Sequence, residues 1–318
     1  MAQRIYYLDN LKGLLIILVI LGHAIQFTIP EYRDNLAFRL IYSFHMPLFF
    51  FISGYLANRG CYKSGVIRKR AIQLLLPFVV WAIISPLLKQ GTLDLGRVLT
   101  AIEYPDNGLW FLYNLFVYSV IFSCIEWLHD RTYINRWVYI TGAYVLLILL
   151  MAVFHTRFNC TQLCYHFIFY ALGYLYKMLD RSLSNRCIAW GGVIYAFLVI
   201  FWTPGGNPLF YDYINLGGGF AYMYRYGVQI LGMLFFFEMG KSILNKKIWF
   251  LTGYGEITLG VYALQFSVLY HLKSILPIQS ITFLVVTETI LAVIICYVFV
   301  KIIKRIPYVR TLLIGEIK

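Results

Sequence analysis

Charge is the first thing this chain lacks. Only 13% of its 318 residues are Asp, Glu, Lys or Arg, where a soluble domain carries about twice that fraction. With 61% apolar residues, 19% aromatics and a mean hydropathy of +0.72, it has too few polar side chains to cover a water-soluble core. That excludes a soluble globular protein and a disordered segment. Cysteine is scarce too: the six residues form no CxxC pair, which excludes a disulfide scaffold and gives no zinc pattern. Cys160 and Cys164 have the one spacing open to pairing at a membrane edge. Long polar connections are also missing. No stretch between apolar runs exceeds about 20 residues, so no soluble catalytic domain is expected and residues 1–318 read as a single membrane domain.

What the chain has instead is long apolar runs, too long for outer-membrane strands. They predict an all-α integral membrane protein, a polytopic bundle of about ten transmembrane helices. The runs are 11–29, 38–57, 71–89, 109–127, 137–154, 163–179, 187–203, 220–238, 250–272 and 281–303. The first is too long for the apolar region of a signal peptide and lacks a small-residue cleavage site, so no cleavable signal is expected.

The net charge of +13 would suggest nucleic acid in a soluble protein. Here it follows the rule that Lys and Arg collect on the cytoplasmic side. Alternate loops and the two ends hold 20 of the 27 basic residues: Arg4, Lys12, Arg59, Lys63, Arg68, Lys69, Arg70, Arg131, Arg136, Lys177, Arg181, Arg186, Lys241, Lys246, Lys247, Lys301, Lys304, Arg305, Arg310 and Lys318. The other face holds Arg33, Arg39, Lys89, Arg97, Arg157, Arg225 and Lys273. Both termini are therefore expected in the cytoplasm, in a multi-pass protein of the inner (cytoplasmic) membrane with lipid, not nucleic acid, as its surroundings. Homo-oligomerisation is left open.

Against so apolar a background the remaining polar residues stand out. The first run reads Leu8-Asp9-Asn10-Leu11-Lys12-Gly13, then an aliphatic stretch, then Gly22-His23. Lys12 and His23 are 11 residues apart, about 20° from three full helical turns; Asp9 and His23 are 14 apart, about 40° from four. All three share one helix face. Taken alone, Asp9 and Lys12 read as an interfacial ion pair, whereas an ionisable residue as deep as His23 is a functional candidate. The second run carries Phe44-His45-Met46-Pro47, placing His45 at a similar depth, with Pro47 expected to bend the helix nearby. Two histidines at one depth suit proton transfer; separate packing roles are the plainer alternative. No third ligand is evident there, so no metal is expected. Arg68-Lys69-Arg70 opens the third run and reads either as a topology determinant touching lipid head groups or as a phosphate clamp. Trp110 and Asn114 lie in the fourth run, where an aromatic belt is the plainer role for Trp110.

These pieces resemble the membrane acyltransferase-3 superfamily, especially its fucose 4-O-acetylase-like or surface polysaccharide O-acetyltransferase branch. The resemblance is carried by Leu8-Asp9-Asn10-Leu11-Lys12-Gly13 through Gly22-His23, and by Phe44-His45-Met46-Pro47 through Ser53-Gly54-Tyr55. It continues through Lys69-Arg70 before Leu74-Leu75-Leu76-Pro77, Leu109-Trp110-Phe111-Leu112, Phe169-Tyr170-Ala171-Leu172-Gly173-Tyr174 and Thr258-Leu259-Gly260-Val261-Tyr262. It implies O-acyl transfer, commonly acetyl, from cytoplasmic acyl-CoA (acetyl-CoA) to the hydroxyl of a carbohydrate or glycolipid acceptor. His23 matches the family's essential histidine. His45, Asp9 and Lys12 are expected beside it in catalysis, Lys12 with Arg68, Lys69 and Arg70 at the donor's phosphates, and Trp110 with Asn114 at the acceptor. Lys12 stands where many members have Arg, and makes a point contact where Arg makes a fork. Gln265 stands where many have His, so no general base is expected there. A non-enzymatic transporter or exporter of small organic acids or glycan precursors is the alternative that ten spans and buried histidines also fit.

Overall fold

The fold is a computed structural model, which describes residues 5–57, 65–91, 96, 100–101, 103–105, 109–179, 183–204, 218–277 and 279–317. Arg4, Arg59, Lys63, Arg97, Arg181, Lys318, Gly108 and the turn cluster at 205–208 lie outside the described residues. Among the described residues the chain is helical, with no strand.

In order, the helices are α1 (Tyr6–Thr28), α2 (Leu36–Tyr42), α3 (His45–Ala57) and α4 (Val66–Arg70), then a π-helical turn (Ala71–Leu75) leading into α5 (Leu76–Gln90). They continue with α6 (Trp110–Thr132), α7 (Arg136–Phe154), α8 (Cys160–Leu179), α9 (Asn185–Leu198) and α10 (Gly218–Ile243). The last four are α11 (Trp249–Gly255), α12 (Thr258–Ile275), α13 (Ile281–Ile303) and α14 (Pro307–Ile314). Among the described residues six helical stretches are long and apolar enough to cross a membrane: α1, α2–α3 together, α4–α5 together, α6, α7 and α13. Their surfaces agree with a lipid setting. α7 exposes Val138, Val145, Leu146, Leu149 and Val153, and α13 exposes Ile290 and Ile294, while Asn10, His45, Glu238 and Glu288 are buried. A multi-pass membrane protein is the architecture that tolerates apolar outside and polar inside.

Several runs are less simple than their hydropathy. The run 250–272 is two helices, broken at Glu256–Ile257 between α11 and α12. The run 187–203 is a 14-residue helix followed by a short 3₁₀ turn. The bend anticipated near His45 is an elbow at Ser43–Phe44, so Pro47 falls in the first turn of α3, where a missing N–H costs no helical bond. Cys160 and Cys164 are free thiols. At i and i+4 of one helix their Cβ atoms stand about 5–6 Å apart, wider than a disulfide spans.

Contacts divide the chain into two compact units. The first holds Met1–Phe49, Asp180–Val261 and Val268–Tyr297; the second holds Phe50–Leu179, Tyr262–Ser267 and Val298–Lys318. In the first unit α1 packs on α11, α10 and α2, and α9 packs on α10. The α1–α11 contact is backbone on backbone. A Cβ on Gly13 would overlap the Leu251 carbonyl, and one on Gly255 would overlap the Asp9 carbonyl. Between these glycines the fully buried Asn10 closes the joint: its Nδ2 donates to Leu244 O at 2.9 Å and Lys246 O at 2.7 Å, and its Oδ1 accepts from Thr252 Oγ1 at 2.7 Å. In the second unit α7 packs on α8, α6 packs on the π turn, and α14 packs on α5. The Trp81 indole N–H ties α5 to Leu313 O of α14 at 2.9 Å, and Phe51 and Tyr170 carbonyls fill the spaces left by Gly173 and Gly54.

Candidate active site

α1 is one unbroken 23-residue helix, so the face deduced from spacing is real geometry. Lys12 Nζ pairs with Asp9 Oδ1 at 2.8 Å, both side chains partly exposed. Eleven residues on, about 16 Å along the axis, the half-buried His23 faces a polar and aromatic cluster. Its Nδ1 lies 3.0 Å from Gln26 Oε1, one turn further along α1. The Tyr42 hydroxyl at the end of α2 lies 3.3 Å from the same Gln26 oxygen and 3.3 Å from His23 Nδ1. In the tautomer protonated at Nδ1, Gln26 Oε1 accepts from both the ring and the Tyr42 hydroxyl. Gly22 makes room for this. A Cβ there would come 2.8 Å from Tyr42 Cε2, so the residue before the histidine has to be small for the tyrosine to reach it.

Tyr42 also links the two histidines. Its ring meets His23 edge-on at 6.4 Å and His45 at 4.7 Å between centroids. His45 is 2% exposed and its Nδ1 donates to Ile41 O at 2.7 Å, a carbonyl that the elbow takes out of regular helix. The elbow is held from outside by Ser43, whose Oγ donates to Leu40 O and lies 2.7 Å from the Tyr195 hydroxyl, and by Phe44 stacked on Phe236 at 3.9 Å. The structure therefore brings Asp9, Lys12, His23 and His45 into one unit, with His23 accessible and His45 buried as support for Tyr42. Among the described residues no group of three or more His, Cys, Asp or Glu could hold a metal.

The second unit holds the other candidates. Arg68 and Lys69 on α4 are exposed and Arg70 is half-buried, and no described residue forms an ion pair with any of them. All three lie in the last turn of α4. Trp110 is half-buried against His166 at 5.0 Å and Phe50 at 5.9 Å. His166 is buried, with Nδ1 directed at Gln162 O. Asn114 is wholly buried: its Oδ1 accepts from Asn159 Nδ2 at 2.8 Å, and only its Nδ2 lacks a described partner.

Spacing along the chain passes over Tyr42, Gln26 and Glu288. Gln26 stands at i+3 from His23, the one polar neighbour its ring can reach on its own helix. Glu288 is the lone acid in the apolar run 281–303, itself a signal.

Among known proteins, the chain is 32% identical over 198 residues to nodulation protein NolL of Sinorhizobium fredii, covering 57% of this chain and 50% of that protein. It is 31% identical over 207 residues to nodulation protein NolL of Mesorhizobium japonicum, covering 61% and 51%. The chain thus spans about half the length of the curated relatives it matches. No solved structure matches it. The family model of the acyltransferase domain matches residues 5–303, nearly the whole chain and every candidate residue above, and the protein belongs to the acyltransferase-3 family.

Proposed function

We propose that the protein is a membrane O-acetyltransferase. In this reading it moves the acetyl group of acetyl-CoA to a hydroxyl of a cell-surface glycan or its lipid-linked precursor. The observation that carries the proposal is His23: a half-buried histidine in an apolar helix, with its Nδ1 against Gln26 Oε1, in a chain of an acyltransferase family. The thioester of the donor supplies an activated acyl group. His23 Nε2 takes the proton of the acceptor hydroxyl as its oxygen attacks the thioester carbonyl; the C–S bond breaks, and the imidazolium returns the proton to the departing thiolate. General base catalysis of this kind contributes about 10²–10⁴-fold. Tyr42 and Gln26 hold the ring, and His45 holds Tyr42 through the elbow. Lys12, Arg68, Lys69 and Arg70 are assigned to the donor's phosphates, with Trp110 and Asn114 at the acceptor.

The reading carries with it ten spans and both termini in the cytoplasm, supported by the uneven distribution of Lys and Arg, and a place in the inner membrane. Mass spectrometry of surface glycans from cells with and without the protein tests it. An acetyl-sized mass difference on one sugar is expected; identical glycans would contradict it.

A further inference from the structure

Glu288 is the one acid in α13 and is 1% exposed. Thr28, the last residue of α1, donates its hydroxyl to Glu288 Oε2 at 2.7 Å. The other oxygen, Oε1, is equally buried and has no hydrogen-bond partner among the described residues. A tie between two helices needs one acceptor oxygen, which a serine or glutamine supplies. Burying a second carboxylate oxygen with nothing bound to it is costly, and such a group in an apolar helix marks a ligand or ion path more often than a packing contact.

The surroundings indicate the ligand. Lys273 is exposed, donates to the Phe27 carbonyl in the last turn of α1, and lies within electrostatic reach of Glu288. The Phe27 ring in turn lies 6.5 Å from that of His23. A carboxylate acceptor beside an ammonium donor suits a neutral polyol, because each sugar hydroxyl both donates and accepts. It does not suit a phosphate, which offers only acceptors and would meet both the carboxylate and the negative end of the α1 dipole. Thr28 is five residues beyond His23, about 7.5 Å along the axis and about 140° around it. A ligand touching both has to cross the end of the helix, which takes more than one sugar ring.

We propose that Glu288, Thr28 and Lys273 form a subsite for the acceptor oligosaccharide, in which Glu288 Oε1 accepts a hydroxyl of a sugar next to the one acetylated at His23. The proposal rests on the O-acetyltransferase reading. It is tested with the purified full-length protein, labelled acetyl-CoA and glycan isolated from cells lacking the protein. Glu288→Gln keeps an oxygen for Thr28 and removes the carboxylate. It is expected to raise KM for the glycan at least tenfold while kcat and KM for acetyl-CoA stay within twofold, and Glu288→Asp is expected to recover part of the loss. An unchanged glycan KM overturns the subsite. So does a fall in kcat alone, which would make Glu288 a support for His23. A wild-type protein that moves no label to glycan sinks the acetyltransferase reading and the subsite with it, a result distinct from these.

Discussion

At its N-terminal end α1 meets its unit through backbone and a buried amide: Gly13 on Leu251, Gly255 on Asp9, and Asn10 bonded to Leu244, Lys246 and Thr252. In its last two turns the same helix is surrounded by polar side chains: its own Gln26 with Tyr42 at His23, then Glu288 and Lys273 at Thr28 and Phe27. Glycine follows Asn10 and Lys12 at one end and precedes His23 at the other, for different reasons. Gly13 lets two backbones touch, whereas Gly22 lets an aromatic ring approach a histidine. The first end holds α1 against its unit, and the second is where the proposed chemistry falls.

The contrast can be broken at either end. The largest effect is expected from Gly13→Ala, where the new methyl meets a carbonyl that cannot swing away. Overpacking of this kind costs about 1–3 kcal/mol and sometimes more, and fluorescence size-exclusion should show most of the folded peak lost. Gly22→Ala displaces a side chain instead, so the folded peak should persist while acetyl transfer drops about tenfold or more. Equal loss of folded protein in both variants would erase the distinction. Asn10→Ala comes next. It strands two carbonyls and a hydroxyl at a cost of about 2 kcal/mol or more, so the melting temperature should fall while kcat per folded molecule holds. Tyr42→Phe is the mildest. It keeps the ring between His23 and His45 and removes one hydrogen bond worth about 1 kcal/mol, so kcat should fall about threefold to tenfold while the melting temperature drops by about 2–4 °C at most.

Much of this was legible in the residues. Periodicity placed Asp9, Lys12 and His23 on one helix, because spacing within an unbroken helix is local arithmetic. Six of the ten apolar runs are helices long and apolar enough to span among the described residues, and scarcity of charge singled out His23. What stayed hidden was long-range. The break between α11 and α12 serves a contact of Gly255 with Asp9, far apart in the chain, and no local pattern announces it. Asn10 reads as part of a motif with chemistry, yet it is structural, since its partners lie more than 230 residues away. Tyr42 is one tyrosine among 27, and only the elbow at Ser43–Phe44 turns it between the histidines. Glu288 was visible as a lone acid, but its unsatisfied oxygen is a property of the packed structure.

The central claim is that His23 moves the proton during acyl transfer. The direct measurement is transfer of radiolabelled acetyl from acetyl-CoA to glycan by purified His23→Ala, matched to wild type for folded protein. The account predicts a loss of about 10²-fold or more with the melting temperature unchanged. Transfer at the wild-type rate by well-folded His23→Ala would contradict it.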